Sequence, residues 1–205
     1  MKRSAGILLL GSVMACSLAA NVSYAAGNSG GFAGVLYGGL TVGGDELVTV
    51  EFEDGDDGTV EAGGFLLFGA GVKYRFENSP LEVQTTVGYH FDSENAENGD
   101  VGFSRIPLDV LGFYNTGNHR FGAGITYHLN PELSMDFDSD VMVSGNGDSI
   151  KFDNSIGLVA DYNYLFGNNV AVGVRYTSIE YSSSRLAEDL DGSYIGITAS
   201  YFLHN

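Results

Sequence analysis

The chain has 205 residues, 44% of them hydrophobic, and sets 26 acidic residues against nine Lys and Arg for a formal charge of −17. That balance excludes non-specific affinity for nucleic acid. Thirty glycines, 12 Tyr and 13 Phe beside only three prolines indicate an all-β chain of tight turns and aromatic packing, either a soluble sandwich or a membrane barrel.

Residues 1–25 read as a secretory signal peptide. Lys2 and Arg3 form a short basic start, Gly6 to Ala20 is apolar and uncharged, and Ser23-Tyr24-Ala25 offers a small-residue cut after Ala25. The apolar run is shorter than the roughly 20 residues that cross a bilayer as a helix. Cys16 is the sole cysteine, and Val13-Met14-Ala15-Cys16 resembles a lipoprotein cleavage box only loosely. Cleavage at Ala25 leaves residues 26–205 as one domain with no thiol for a disulfide or a metal.

Period-two alternation then predicts eight strands: 32–42, 65–76, 81–91, 102–114, 119–129, 151–166, 170–181 and 193–203. The fifth is the clearest. Phe121, Ala123, Ile125, Tyr127 and Leu129 share one face, and Arg120, Gly122, Gly124, Thr126 and His128 the other. The first is blurred by Gly34, Gly38 and Gly39, so its faces stay unassigned. Pro107 inside the fourth strand removes a backbone donor, which predicts a bulge or bend beside it.

Connections alternate in length. Those at 77–80, 115–118 and 167–169 are short; those near 43–64, 92–101, 130–150 and 182–192 are long. Of the 26 acids, all but Glu77, Glu82, Asp109 and Asp161 fall in the long connections or the strand tips beside them. Tyr74, Phe76, Tyr114, Phe121, Tyr164, Phe166 and Tyr201 collect toward the short-turn end, and Tyr89, Phe91, Tyr127 and Tyr176 toward the other. Short turns opposite long loops, with two aromatic girdles, are the pattern of an eight-stranded antiparallel up-and-down transmembrane β-barrel. A sandwich would keep its aromatics mid-strand and its carboxylates dispersed.

The signal peptide, the alternating strands, the acidic loops and the closing Ser193-Tyr194-Ile195-Gly196-Ile197-Thr198-Ala199-Ser200-Tyr201-Phe202-Leu203 together resemble the small Gram-negative outer-membrane barrels of the OmpA, OmpX and OmpW type. Phe103 to Asp109 followed by Leu111-Gly112-Phe113-Tyr114 is similar to a stretch found in members of that group. The chain departs from it by running on to His204-Asn205 where such barrels usually end on an aromatic residue. The resemblance implies residence in the outer membrane among its lipids and lipopolysaccharide, with a non-enzymatic structural or surface role as the leading reading, passage of small, including hydrophobic, molecules as the second and lipid modification as the third.

If the apolar set faces lipid, Lys73, Arg75, Glu82, Arg105, Asp109, Arg120, Asp161 and Arg175 all face the lumen. A Lys or Arg on the lipid side would cost about 2–4 kcal/mol at the midplane. Hairpin register opposes Arg75 to Glu82 and Asp161 to Arg175, predicting two ion pairs in a polar, side-chain-filled interior. Inward glycines such as Gly69, Gly88 and Gly122 are expected to make room beside the long basic side chains.

No cofactor, metal site or catalytic set is expected. His90, Asp92 and Ser93 cluster, but His90 and Ser93 have opposite parity, whereas a nucleophile and its base must share a face. Glu53-Asp54-Gly55-Asp56-Asp57-Gly58 lacks the spacing of an EF-hand loop. The acidic loops are expected to be solvated and to offer a surface for a ligand, with Leu47, Val48, Val50 and Phe52 of the first extending a strand above the membrane.

Overall fold

The computed structural model describes residues 30–51, 57–96, 99–137, 148–184 and 189–204. The expected signal peptide lies outside them, as do Phe52, Glu53, Asp54, Asp56, Glu97, Asp138, Asp140, Arg185 and Glu188.

The strands are β1 (Gly31–Val42), β2 (Glu46–Glu51), β3 (Asp57–Glu61), β4 (Phe65–Arg75), β5 (Leu81–Ala96), β6 (Gly99–Thr116), β7 (His119–Phe137), β8 (Asp148–Lys151), β9 (Ser155–Phe166), β10 (Val170–Ser178), β11 (Glu180–Tyr181), β12 (Leu190–Asp191) and β13 (Tyr194–His204). Eight of them, β1, β4, β5, β6, β7, β9, β10 and β13, pair antiparallel with their neighbours in chain order. The last then pairs with the first, from Ala33 opposite His204 to Val42 opposite Ile195. The ring is closed, so every ladder has a partner on both sides.

The short turns use the residues their geometry needs. Asn78, Gly117 and Gly167 take positive φ of 52°, 57° and 69°, the left-handed region that glycine and asparagine tolerate best. The β6–β7 turn is tighter than predicted, with Gly117-Asn118 alone between Thr116 and His119.

At the other end, the long connections hold more strand than alternation suggested. β5 and β6 run on as a hairpin to Ala96 and from Gly99. β7 continues to Phe137 and pairs with β8. β2 pairs with β3, and β11 with β12. The predicted sixth and seventh strands are correspondingly shorter, starting at Ser155 and ending at Ser178. The reason is an inversion of polarity along one face. Inward positions of β6 are polar at Asp109 and Arg105, above buried Phe113 and Leu111, and turn wholly apolar at Phe103 and Val101. With Val60, Ala62, Leu133, Phe152, Ile179 and Tyr181 these form a buried apolar cluster over the mouth of the barrel.

Pro107 interrupts the β5–β6 ladder, which lapses between Val87–Leu108 and His90–Arg105 without changing register. The irregularity predicted nearby lies across on β7. Register shifts between Ser104–Glu132 and Ile106–Leu129, at Asn130 with φ of 48°.

The outer wall is apolar. Phe32, Leu36, Leu40, Phe68, Val72, Val87, Val110, Ile125, Leu158, Val172, Val174, Ile197 and Tyr201 are all exposed around the ring. Aromatic pairs flank this band: Tyr74–Phe76 and Tyr164–Phe166 at the short-turn end, Phe68–Tyr89 and Tyr89–Phe91 at the other. A continuous belt of this kind needs hydrocarbon as its solvent. Val110 sits mid-band, between Thr85 on β5 and Ile125 on β7. Val110→Arg is expected to destabilise the barrel in vesicles by about 2–4 kcal/mol, read from equilibrium urea unfolding, while Val110→Leu leaves the midpoint nearly unchanged.

Candidate functional site

The first charged layer sits near the short turns. Glu82 on β5 is buried and shared by two cations. Lys73 Nζ on β4 donates to its Oε2 at 3.1 Å. Arg120 on β7 reaches across to donate from Nε and Nη2 to its Oε1 at 2.9 and 2.5 Å. Arg120 Nη2 also donates to Gln84 Oε1 at 2.7 Å. Aromatic faces complete the cage. The Arg120 guanidinium lies 3.2 Å from the Phe113 ring centroid, and Lys73 Nζ 3.6 Å from that of Phe202. Such contacts strengthen when water is excluded.

The second layer lies mid-barrel. Arg175 Nη2 on β10 meets Asp109 Oδ2 on β6 at 2.8 Å, and Thr86 Oγ1 donates to the same oxygen at 3.2 Å. Asp161 faces inward on β9, where the Asn163 amide donates to it. Tyr37 is buried at this height. A Cβ at Gly88 would lie 2.4 Å from its hydroxyl, and one at Gly69 2.6 Å from its ring. The inward glycines therefore clear space for aromatic rings, Phe113 beside Gly122 included, where room for basic side chains was predicted.

The third layer holds Arg105, His90, His128, Thr41 and Tyr194, all buried, beneath the apolar cluster. Arg105 Nη2 donates to the Gly64 carbonyl at 3.2 Å and lies 3.1 Å from His90 Nε2. His128 Nδ1 is 2.6 Å from the Tyr181 hydroxyl.

Seven of the eight predicted lumen residues thus point into the barrel. Arg75 does not join them; it is exposed at the rim. Both predicted pairings need correction. Arg75 and Glu82 are backbone partners, as are Arg175 and Asp161, yet neither couple forms the ion pair. Strands in a small barrel are tilted and staggered, so side chains at one height belong to diagonal or opposite positions. Glu82 therefore meets Lys73 two residues along β4 and Arg120 from two strands away on β7. Arg175 likewise meets Asp109 rather than its hairpin partner. Arg75 ends β4, where water solvates it more cheaply than burial would.

His90 and Asp92 face inward and Ser93 is exposed, so the three do not assemble. Above the band, Asp92 Oδ2 accepts the Glu61 backbone N–H at 2.9 Å. Burial nonetheless raises its carboxyl above the usual range. The folded state favours its protonated form, so this contribution to stability is present below the ordinary aspartate pKa and lost as pH rises through the raised folded one.

Tyr37, Thr41, Phe113 and Phe202 line the interior and were not singled out beforehand. For β1 a signal existed: with Phe32, Leu36 and Leu40 set outward, the odd positions Val35, Tyr37 and Thr41 fall inside.

A closed ring of eight antiparallel strands, apolar outside and charged within, with elaborated hairpins at one end, defines a small outer-membrane barrel. A family model described as "Outer membrane protein beta-barrel domain" matches residues 7–202, and the chain belongs to that family. It is a protein of the bacterial outer membrane, with its short turns on the periplasmic side. No curated protein sequence matches it. Among solved structures it is similar to Ail, the attachment invasion locus protein of Yersinia pestis, at 13% identity and a TM-score of 0.54, over 85% of this chain and 99% of that one. Neisserial surface protein A aligns at 14% identity and a TM-score of 0.47, over 85% and 98% of the two chains. OprG from Pseudomonas aeruginosa aligns at 16% and 0.41, over 84% and 96%.

Removing Glu82 strands two buried cations, whereas Arg75 has no buried partner to lose. Glu82→Ala is expected to cost about 3–5 kcal/mol and Arg75→Ala to stay within about 0.5 kcal/mol, both measured by urea unfolding in the same vesicles.

Proposed function

We propose that this barrel is a non-enzymatic structural and surface-interaction protein whose lumen is sealed by its own side chains. One observation carries the reading. Arg175 on β10 spans the interior to Asp109 on β6, and Arg120 on β7 reaches past β6 to Glu82 on β5, so two charged layers stand in the path in succession. The apolar cluster above them adds a third barrier.

The working surface is then the outer hairpins. Asp45, Glu46, Glu61, Asp100, Glu132, Asp153, Glu180, Asp189 and Asp191 stand there. The Ail structure was determined with a heparin analogue, sucrose octasulfate. A surface of this acidity repels such a polyanion, so the ligand we propose is cationic: a basic segment of another protein, or divalent ions bridging to the phosphates of lipopolysaccharide. The apolar band takes outer-membrane lipid.

A second reading, passage of small apolar molecules through the wall, is favoured by the lapse in the β5–β6 ladder beside Pro107. Planar-bilayer recording tests the sealed lumen, and uptake of an apolar solute by vesicles tests the wall. The barrel is expected to give no steady conductance steps in concentrated salt and no uptake above that of empty vesicles. Steps that scale with salt would contradict the seal, and uptake alone would favour passage through the wall.

A further inference from the structure

Arg105 is the lumen cation whose charge the fold leaves unpaired. It is 1% exposed. Among the described residues Glu82 serves Lys73 and Arg120, Asp109 serves Arg175, and no carboxylate comes within ion-pair distance of Arg105. Its Nη2 is used by Gly64 and His90. Its Nε and Nη1 lack a well-aligned hydrogen bond among the described residues, with the Tyr181 hydroxyl as a neighbouring acceptor. The carboxylate that relieves it electrostatically, Asp92, is engaged by the Glu61 amide.

The groups around it also offer donors. His90 Nε2 lies 2.8 Å from Thr41 Oγ1 and 3.1 Å from Arg105 Nη2; accepting from both, a neutral ring carries its proton on Nδ1. That Nδ1 is buried and unpartnered, and so are His128 Nε2 and the Tyr194 hydroxyl. His90 packs edge-on against Tyr194, with ring centroids 4.7 Å apart. Arg105 acts electrostatically on both histidines and on the Tyr181 hydroxyl. The apolar cluster closes this region above, and the Arg175–Asp109 pair lies below.

Burying a charge without a counter-charge is costly. Water would satisfy the donors and leave the charge uncancelled. An anion does both. We infer that the barrel holds a small inorganic monoanion of halide size beneath its apolar cap, bound by Arg105 with His90 and the Tyr194 hydroxyl. This site does not depend on the proposed surface role.

Bromide is the probe, because it scatters anomalously and replaces chloride. Crystals of the full chain, soaked in bromide, are expected to show an anomalous peak within hydrogen-bond reach of Arg105 Nε or Nη1. Ordered water alone at Arg105, or bromide on the outer surface alone, would overturn the inference. In solution, the folded-to-unfolded ratio is expected to rise about tenfold when bromide replaces gluconate, at equal ionic strength, at ten times its dissociation constant. Arg75→Ala keeps that response and Arg105→Met loses it. An equal response in wild type and Arg105→Met would contradict the site. Should Arg105→Met fail to fold, the anomalous peak in the wild type decides.

Discussion

Backbone hydrogen bonds have no alternative partner in hydrocarbon, and that constraint organises the whole molecule. A strand that crosses the membrane must be paired along both edges, so β13 returns to β1. Eight strands close into a ring just wide enough for side chains to fill. Everything inside must then fit that cross-section and satisfy itself there. The inward glycines, the shared carboxylate of Glu82 and the aromatic rings over Lys73 and Arg120 are answers to that one requirement.

Which charges pair follows from geometry more than from proximity in sequence. Lys73, Glu82 and Arg120 come from three different strands and meet because stagger brings them to one height. Phe113 and Phe202 lie against the two cations and exclude water, which strengthens the electrostatics they surround. Above the headgroups the outside solvent becomes water, and the hydrophobic effect reverses the preferred side. Inward positions turn apolar at Phe103, Val101, Leu133 and Ile179, and the same strands that span the membrane build a small conventional core above it.

That reversal explains what could and could not be read from the chain. Within the membrane the rule is uniform, with apolar residues outward, so the barrel strands and the inward parity of Lys73, Glu82, Asp109, Arg120 and Arg175 were legible. Beyond Arg105 the rule flips, and the bulge at Asn130 shifts the register of β7. A single parity carried through 92–101 and 130–150 therefore reads as loop. Hairpin register correctly opposed Arg75 to Glu82 and Arg175 to Asp161 along the backbone. It could not specify the partner across the lumen, because that depends on the tilt of strands distant in sequence. The glycines of β1 thinned the alternation that marks the face of Tyr37, leaving the spacing of Phe32, Leu36 and Leu40 as its signal.

A lumen closed by paired charges is the central claim, and solvent access to its middle tests it most directly. In a Cys16→Ser background, Thr86→Cys places a thiol beside Asp109 within the second charged layer, where Thr86 is 3% exposed. A small charged methanethiosulfonate reagent added to either side of reconstituted vesicles should leave this thiol unmodified until urea unfolds the barrel. Prompt modification of the folded protein from either side would show water reaching the middle of the lumen past the barrier on that side and contradict the account.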